Sequence, residues 1–210
     1  MPNDPRNKTE QYSQERIPGA KFFDIDLISD RTTNLPHMLP SLAEWTEHMK
    51  KFNIGVNDTV ICYDDYSILG SSRAWWTMKV FGIKNCWILN ANFAKWKNEG
   101  LQTEKGSPKI DESSSVRPAE DFNFTFNQGL VKNMKDIRKW VNSPTKNYEL
   151  VDARAPGRYS GAEPDPRGKF SIYFTHIKNF LILMWECFFI FSDFMYRFLF
   201  PSIFHKKETK

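Results

Sequence analysis

Thr59-Val60-Ile61-Cys62-Tyr63-Asp64-Asp65-Tyr66-Ser67-Ile68-Leu69-Gly70-Ser71-Ser72-Arg73-Ala74-Trp75-Trp76 decides the fold class. Residues 59–63 read as a short apolar strand, residues 64–70 as a polar loop, and the residues after them as a helix capped by Ser71 or Ser72. That helix is expected to run through Phe81, with Gly82 as its terminator. Upstream, Ser41-Leu42-Ala43-Glu44 is a capping box. Leu42, Trp45, Met49 and Phe52 lie beyond it at spacings of three and four, and so share one helix face. Gly55 is the expected left-handed stop. Downstream, Cys86-Trp87-Ile88-Leu89 reads as a second buried strand. A third helix carries Phe93 and Trp96 and stops near Gly100. Strands separated by helices of this length imply an α/β fold, a parallel sheet covered on both faces.

Beyond this block the chain changes character twice. Residues 101–128 carry Gly106, Pro108, Ser113-Ser114-Ser115 and Pro118, the chemistry of a linker. Asn133 then opens a helix with Met134, Ile137, Trp140 and Val141 inward, and Glu149-Leu150-Val151-Asp152 reads as a strand opening a second α/β unit. After it comes a polar run from Arg154 to Lys169, rich in Pro, Gly and Arg. From Phe170 to Lys210 the chain holds 10 of its 18 Phe and 13 of its 32 aromatic residues, so a second boundary falls near Lys169.

Composition excludes several classes. The 210 residues carry a net charge of +4. That is too small to imply a nucleic-acid partner, and no basic stripe with interleaved aromatics appears. Three cysteines, Cys62, Cys86 and Cys187, form no CxxC or metal spacing, so no metal or other cofactor is expected, and they suggest a reducing compartment. Cys62 and Cys86, each within or at the start of a strand, read as buried small hydrophobes. Residues 1–20 lack the basic segment and apolar core of a signal peptide, and Asp4, Glu10 and Glu15 argue against a mitochondrial transit peptide.

Four features could carry chemistry, and each has a plainer alternative. Arg16-Ile17-Pro18-Gly19-Ala20 needs a rigid turn, since Pro fixes φ and Gly supplies a conformation other residues resist; alone it is a structural turn before Phe22-Phe23-Asp24-Ile25-Asp26. The 64–73 loop joins a strand to a helix and so aims backbone N–H groups at an anion. Its first position, where a nucleophile belongs, is Asp64, and a carboxylate there reads as a structural version of an active loop. Asp26 and His37, eleven residues apart, could form the carboxylate–imidazole part of a relay, or His37 could be a loop histidine bonded to backbone. Arg158 and Arg167 flank Gly161-Ala162-Glu163-Pro164-Asp165-Pro166. Two guanidinium forks on one constrained loop suit a small carboxylate or oxyanion, or form a solvated surface pair.

These residues together carry a resemblance. RIPGAKFFDID from Arg16, LPHMLPS from Leu35, SSRAWWTMKVFG from Ser71 and LVDARAPGRYSGAEPDPRG from Leu150 look like the tandem-rhodanese thiosulfate/3-mercaptopyruvate sulfurtransferases, in consistent order from about Met1 to Gly168. The resemblance implies two α/β rhodanese domains, the first non-catalytic and the second catalytic. It implies residues 1–104 as a first, inactive-type domain, 105–128 as linker, 129–169 as the start of the second, and 170–210 as a divergent, Phe-rich helical tail. It also implies the activity: a loop cysteine of the second domain takes sulfane sulfur as a persulfide and passes it to a thiol, such as thioredoxin, or to cyanide. Arg158 and Arg167 match the family's substrate-binding arginines, which grip the carboxylate of mercaptopyruvate. Asp26 and His37 match the Asp and His that complete a relay with a serine of the catalytic loop. Asp64 matches the position where an active domain has cysteine. The compartment implied is cytoplasmic or mitochondrial.

The match has departures. After Gly168 the family's second His-Ile-Pro-Gly segment and its Cys-Gly-Ser-Gly-Val-Thr loop do not appear, so the catalytic cysteine and relay serine are absent and this chain is expected to be inactive. Cys187, within Trp185-Glu186-Cys187-Phe188-Phe189, has no glycine to open a loop. Met1 falls inside a family segment that a strand–helix–strand normally precedes, so the first sheet is expected to lack an early strand and to expose unpaired backbone groups. The family's Asp-Gly-Gly reads Asn90-Ala91-Asn92. The tail has three readings. A membrane helix from about 170 to 192 is one, although a span needs about 20 mainly apolar residues and Glu186 interrupts. An interfacial or aggregating segment is the second. Translated non-coding sequence, from a retained intron or frameshift, is the third. A non-catalytic module binding anions or a partner, anchored to a membrane by the tail, is the rival to the enzyme.

Overall fold

The computed structural model describes residues 7–66, 68–107, 117–145, 148–164 and 181–182. Two compact units emerge, Pro5–Lys132 and a second that begins at Asn133.

In the first unit, α1 (Lys8–Gln14) is capped by Asn7, whose side chain accepts from the Glu10 N–H. The helix α2 (Leu42–Phe52) begins at the Ser41 capping box, with Ser41 and Glu44 each bonding the other's backbone N–H. It ends at Asn53, in the left-handed conformation (φ 53°), and not at Gly55 as the glycine suggests. Asn tolerates this conformation because its short amide bonds locally. Gly55 has another role: a Cβ there would lie 2.9 Å from Arg117 Nη1 and 3.2 Å from the Asp121 carbonyl oxygen, so a side chain would push away the segment that covers it.

The strands β1 (Val60–Cys62) and β2 (Cys86–Ile88) pair in parallel, Val60 opposite Cys86, through the helix α3 (Leu69–Val80). This is the βαβ unit that the sequence pattern requires. Among the described residues β1 pairs with β2 alone. Val60 N–H and Cys62 carbonyl bond β2 and its flanks, so Ile61 between them turns its backbone to the other edge, and it is 61% exposed. Gly82 terminates α3 with φ 92°, a conformation that no β-carbon favours. The helix α4 (Phe93–Asn98) is capped by Asn92, in the turn where the Asn90-Ala91-Asn92 variation falls, and ends before Gly100 (φ 69°).

The core sits where α2 and α3 meet the sheet. Trp45 stacks on Phe81 with centroids 4.5 Å apart and planes 9° apart, and Phe124 meets Trp45 edge-on at 6.3 Å. Met49, Met78, Val80 and Ile83 close the same cluster. The expected linker departs from its composition here. Residues 117–132 pack on the first unit, because Phe122, Phe124 and Phe126 alternate with polar residues and lay one apolar side against the core. Val56 N–H bonds the Asp121 carbonyl, Asn127 N–H bonds the Val80 carbonyl, and Arg117 pairs with Asp58.

Arg16 explains the first of the four features. It is 1% exposed. Its backbone exchanges two hydrogen bonds with Glu104, and its guanidinium bonds the Glu104 carboxylate and the Tyr12 and Gly106 carbonyls. The other Glu104 oxygen accepts from Gly19 N–H. The turn after Arg16 is therefore clamped to the far end of the unit.

In the second unit, α5 (Met134–Val141) opens with an Asn133–Asp136 capping box. The expected inward face is only half realised: Met134 is 71% exposed, Ile137, Trp140 and Val141 are half-buried, and Trp140 stacks on Tyr148 at 5.1 Å. The strand β3 (Val151–Asp152) leads through a turn to α6 (Pro156–Ser160), where Pro156 occupies the first helical turn. The strand β4 (Leu181–Ile182) pairs with β3 in parallel, Val151 opposite Leu181. The helical tail expected over 170–210 is corrected at these two residues. Apolar residues beside an open parallel strand gain its backbone hydrogen bonds, which a helix would not supply to β3. The remainder of that tail lies outside the described residues, including all of the expected membrane segment 170–192 except this strand pair. Among the described residues no helix is long and apolar enough to cross a membrane, so the transmembrane expectation gains no support.

Candidate functional site

Asp26 and His37 are brought together by a loop whose local bonds are all short-range. The Asp24 carboxylate accepts from the N–H groups of Asp26 and Leu27, and Asp30 N–H bonds the Met38 carbonyl, which closes the loop. Pro36 and His37 form a turn in which His37 takes φ 58°. A positive φ directly after proline is what a type II turn requires of its second central residue. His37 Nε2 then lies 2.8 Å from Asp26 Oδ1. The side chains are 40% and 69% exposed. Exposed pairs contribute about 0–1 kcal/mol, whereas a left-handed non-glycine residue costs about 1–2 kcal/mol. The pair does not hold the loop in this shape by itself.

A cavity of about 830 Å³ opens beside His37. Arg73, Trp76, Phe126, Lys132 and Glu44 line it with His37. Arg73 lies in the first turns of α3, with its Cζ 5.0 Å from the Trp76 ring centre, and its Nη2 donates to the His37 carbonyl. Burial lowers its affinity for the proton. Sequence reasoning missed Arg73. The signal was there in Ser71-Ser72-Arg73-Ala74-Trp75-Trp76, an arginine set between helix positions that face the core.

The 64–73 loop forms the anion cradle that the sequence suggests, and its own carboxylate fills it. Asp64 Oδ1 accepts from Asp65 N–H at 2.7 Å, and Oδ2 accepts from Gly70 N–H at 2.9 Å. This corrects the expected helix start. α3 begins at Leu69, because Asp64 reaches across the loop to bond a first-turn N–H. Ser71 is buried and turns its hydroxyl back to the Ile68 carbonyl.

Cys62 and Cys86 are buried on neighbouring strands with sulfurs 3.9 Å apart, as the small-hydrophobe reading expects. The Cys86 sulfur and burial push the Cys62 thiol far up, away from the thiolate that sulfur chemistry uses. Cys187 lies outside the described residues. So does Arg167, and its pairing with Arg158 has no described geometry. Arg158 sits in α6 with its N–H bonded to the Ala155 carbonyl. Nearby, Arg154 grips Asp152 through Nε at 2.8 Å and Nη2 at 2.7 Å, which holds the Asp152 carboxyl below the usual range. Among the described residues no cluster of His, Cys, Asp or Glu has a metal-binding arrangement.

Comparison with known proteins gives this geometry a context. The profile of the rhodanese-like domain matches residues 4–99. A probable 3-mercaptopyruvate sulfurtransferase of Schizosaccharomyces pombe is 37% identical over 168 residues, covering 80% of this chain and 55% of that protein. The 3-mercaptopyruvate sulfurtransferase of Homo sapiens is 32% identical, covering 80% of this chain and 54% of that protein. Among solved structures, that of SseA from Escherichia coli, described with the rhodanese fold of 3-mercaptopyruvate sulfotransferases, aligns with a TM-score of 0.68 at 29% identity, over 87% of this chain and 64% of its own. The chain spans about half the length of the relatives it matches.

Proposed function

Because this chain carries a rhodanese-like domain and is a homologue of the 3-mercaptopyruvate and thiosulfate sulfurtransferases, we propose that it is the first domain and the opening of the second domain of such an enzyme. The reaction of the whole enzyme moves a sulfane sulfur from mercaptopyruvate or thiosulfate, through a cysteine persulfide, to a thiol acceptor such as thioredoxin. Its compartment is the cytoplasm or the mitochondrion. The observation that carries this reading is the Asp26–His37 pair at 2.8 Å. A carboxylate that accepts from Nε2 leaves Nδ1 as the basic nitrogen, and this nitrogen is the one available to a serine of a catalytic loop. Arg158, with Arg167, is the proposed grip on the substrate carboxylate, since a guanidinium fork matches it.

The persulfide does not form in the first domain on this reading. Asp64 stands at the nucleophile's position and occupies the Asp65 and Gly70 N–H groups, while Cys62 and Cys86 are buried in the sheet. The 210-residue chain alone is therefore inactive or nearly so. The filled Asp64 loop also favours a second reading, a non-catalytic module, which binds small anions or a partner through Arg158 and Arg167 instead of through this loop. Incubation with thiosulfate or mercaptopyruvate, followed by mass spectrometry, tests both. The expected result is an unmodified chain without turnover. A sulfur adduct on Cys62, Cys86 or Cys187 with steady turnover refutes inactivity. A cooperative melt raised by mercaptopyruvate supports the binding module. Membrane fractions that retain the chain after carbonate washing would support anchoring by its tail.

A further inference from the structure

The imidazole of His37 is exposed and its backbone is strained, yet its ring faces Asp26. An exposed ion pair is too weak to impose that conformation. We propose that Arg73 is a positioning residue, which clamps the left-handed backbone of His37 from the rigid helix α3 and so aims the imidazole at Asp26. This inference rests on the relay role proposed for His37 and deepens it.

Three observations converge on Arg73. First, its Nη2 donates to the His37 carbonyl, which joins positions 36 residues apart in sequence. A charged donor makes this bond stronger than an ordinary neutral one. Second, the guanidinium lies over the Trp76 ring at 5.0 Å, one helical turn further along α3. That contact holds the guanidinium against the helix that carries it. Third, Arg73 Nε is buried and has no hydrogen-bond partner among the described residues. A buried N–H without a partner is a cost that an aliphatic side chain of similar length would not carry. Space-filling alone does not account for an arginine here, whereas the bond to His37 does. Asp30, Glu44 and Lys132 are other charged groups that line the same cavity.

The residue this singles out does not touch substrate. It acts through His37, by making one backbone conformation of the 35–38 turn the favoured one. Lys would place a single flexible donor where Arg places a fixed fork. Gln at this position would end near the place of Nε and would lack the group that reaches His37.

The test uses the full chain with histidine and arginine isotope labels. Three-bond couplings from the His37 backbone nitrogen and carbonyl carbon to Cγ report the rotamer of the ring. The wild-type chain is expected to show the couplings of one rotamer. Arg73→Gln is expected to show averaged couplings at His37, with a melt that stays cooperative and an unchanged amide spectrum around Trp45. Asp26→Asn supplies the reference for a released ring. Wild-type couplings in a folded Arg73→Gln chain overturn the proposal. Should that variant not fold, the wild-type chain decides alone. A slowly exchanging Nη2 proton of Arg73, coupled to the His37 carbonyl carbon, supports the clamp, and its absence overturns it. None of these readouts involves sulfur transfer, so a sulfur adduct with steady turnover would overturn the reading of this chain as inactive without touching this inference.

Discussion

The two units begin from nearly the same local grammar. Each has a helix opened by a capping box, at Ser41 and at Asn133, and then a strand with an aspartate at or just past its end, a turn and a further helix. They differ in what lies beneath. In the first, Trp45, Phe81 and Phe124 interlock and are almost fully buried. In the second, no residue of α5, β3 or α6 is buried, and Trp140 is half-covered by Tyr148. Capping and turn chemistry thus write the elements, while aromatic burial decides which of them is held by a core. Their aspartates diverge accordingly. Asp64 bonds backbone N–H groups across its loop, whereas Asp152 accepts the Arg154 N–H and is also gripped by the Arg154 side chain.

The comparison breaks most visibly at the two tryptophans. Trp45→Ala should destabilise the first unit by about 3–5 kcal/mol, the range for deleting a buried aromatic. Trp140→Ala should cost less than about 1 kcal/mol, because its ring is already half in water. Urea unfolding of both variants checks the contrast, and equal losses would put the core elsewhere. Next in size is Arg16→Met, expected to cost about 3 kcal/mol by stranding the Glu104 carboxylate and the Tyr12 and Gly106 carbonyls. A loss within error in thermal melts would mean that the Arg16 clamp is redundant. Asp64→Ala should cost about 1–2 kcal/mol as a lost helix cap. Asp152→Ala should cost about 0–1 kcal/mol, since it breaks a partly exposed ion pair. Reversal of that order, in the same urea assay, would show that Arg154 is the stronger anchor.

Small effects are also expected at the caps and in acid. Ser41→Ala is expected to cost about 1 kcal/mol and Asn133→Ala about 0.5 kcal/mol, since only the first helix couples to a buried core. Bonds from Ser41 hold the Glu44 carboxyl below its usual value, and Arg154 does the same for Asp152. Both contributions are therefore complete above the ordinary carboxylate range near pH 4 and fade as the pH falls through the lowered values. Acid titration of circular dichroism should show the wild-type and Ser41→Ala curves converging as the pH drops. A constant gap would remove Glu44 from the account.

Much of this was legible beforehand because its causes are local. The Ser41 box, the Asn133 helix, both first-unit strands and the buried Cys62 and Cys86 depend on residues within a few positions of one another. What escaped depends on distant partners. Ser71 looks like a cap until Asp64 reaches Gly70 from six residues away. Gly55 looks like a helix stop until Asn53 takes that place and Arg117 packs against it. Residues 117–128 read as linker because their polar composition hides the alternation of Phe122, Phe124 and Phe126. Asp26 and His37 were legible as candidates, and the structure joins them. Arg73 was not: its place among core-facing helix positions marks it as unusual, but its partner lies 36 residues back.

One contact constrains how this chain could have changed over time. A methyl group on Gly70 would overlap Asp64 Oδ2, the very oxygen that the Gly70 N–H holds. The two positions are thus epistatic. Alanine at 70 displaces the Asp64 carboxylate from the Gly70 N–H, whereas with a shorter side chain at 64 it meets no such neighbour. A mutational path that places a small nucleophile in this loop therefore costs least in one order: position 64 first, position 70 afterwards.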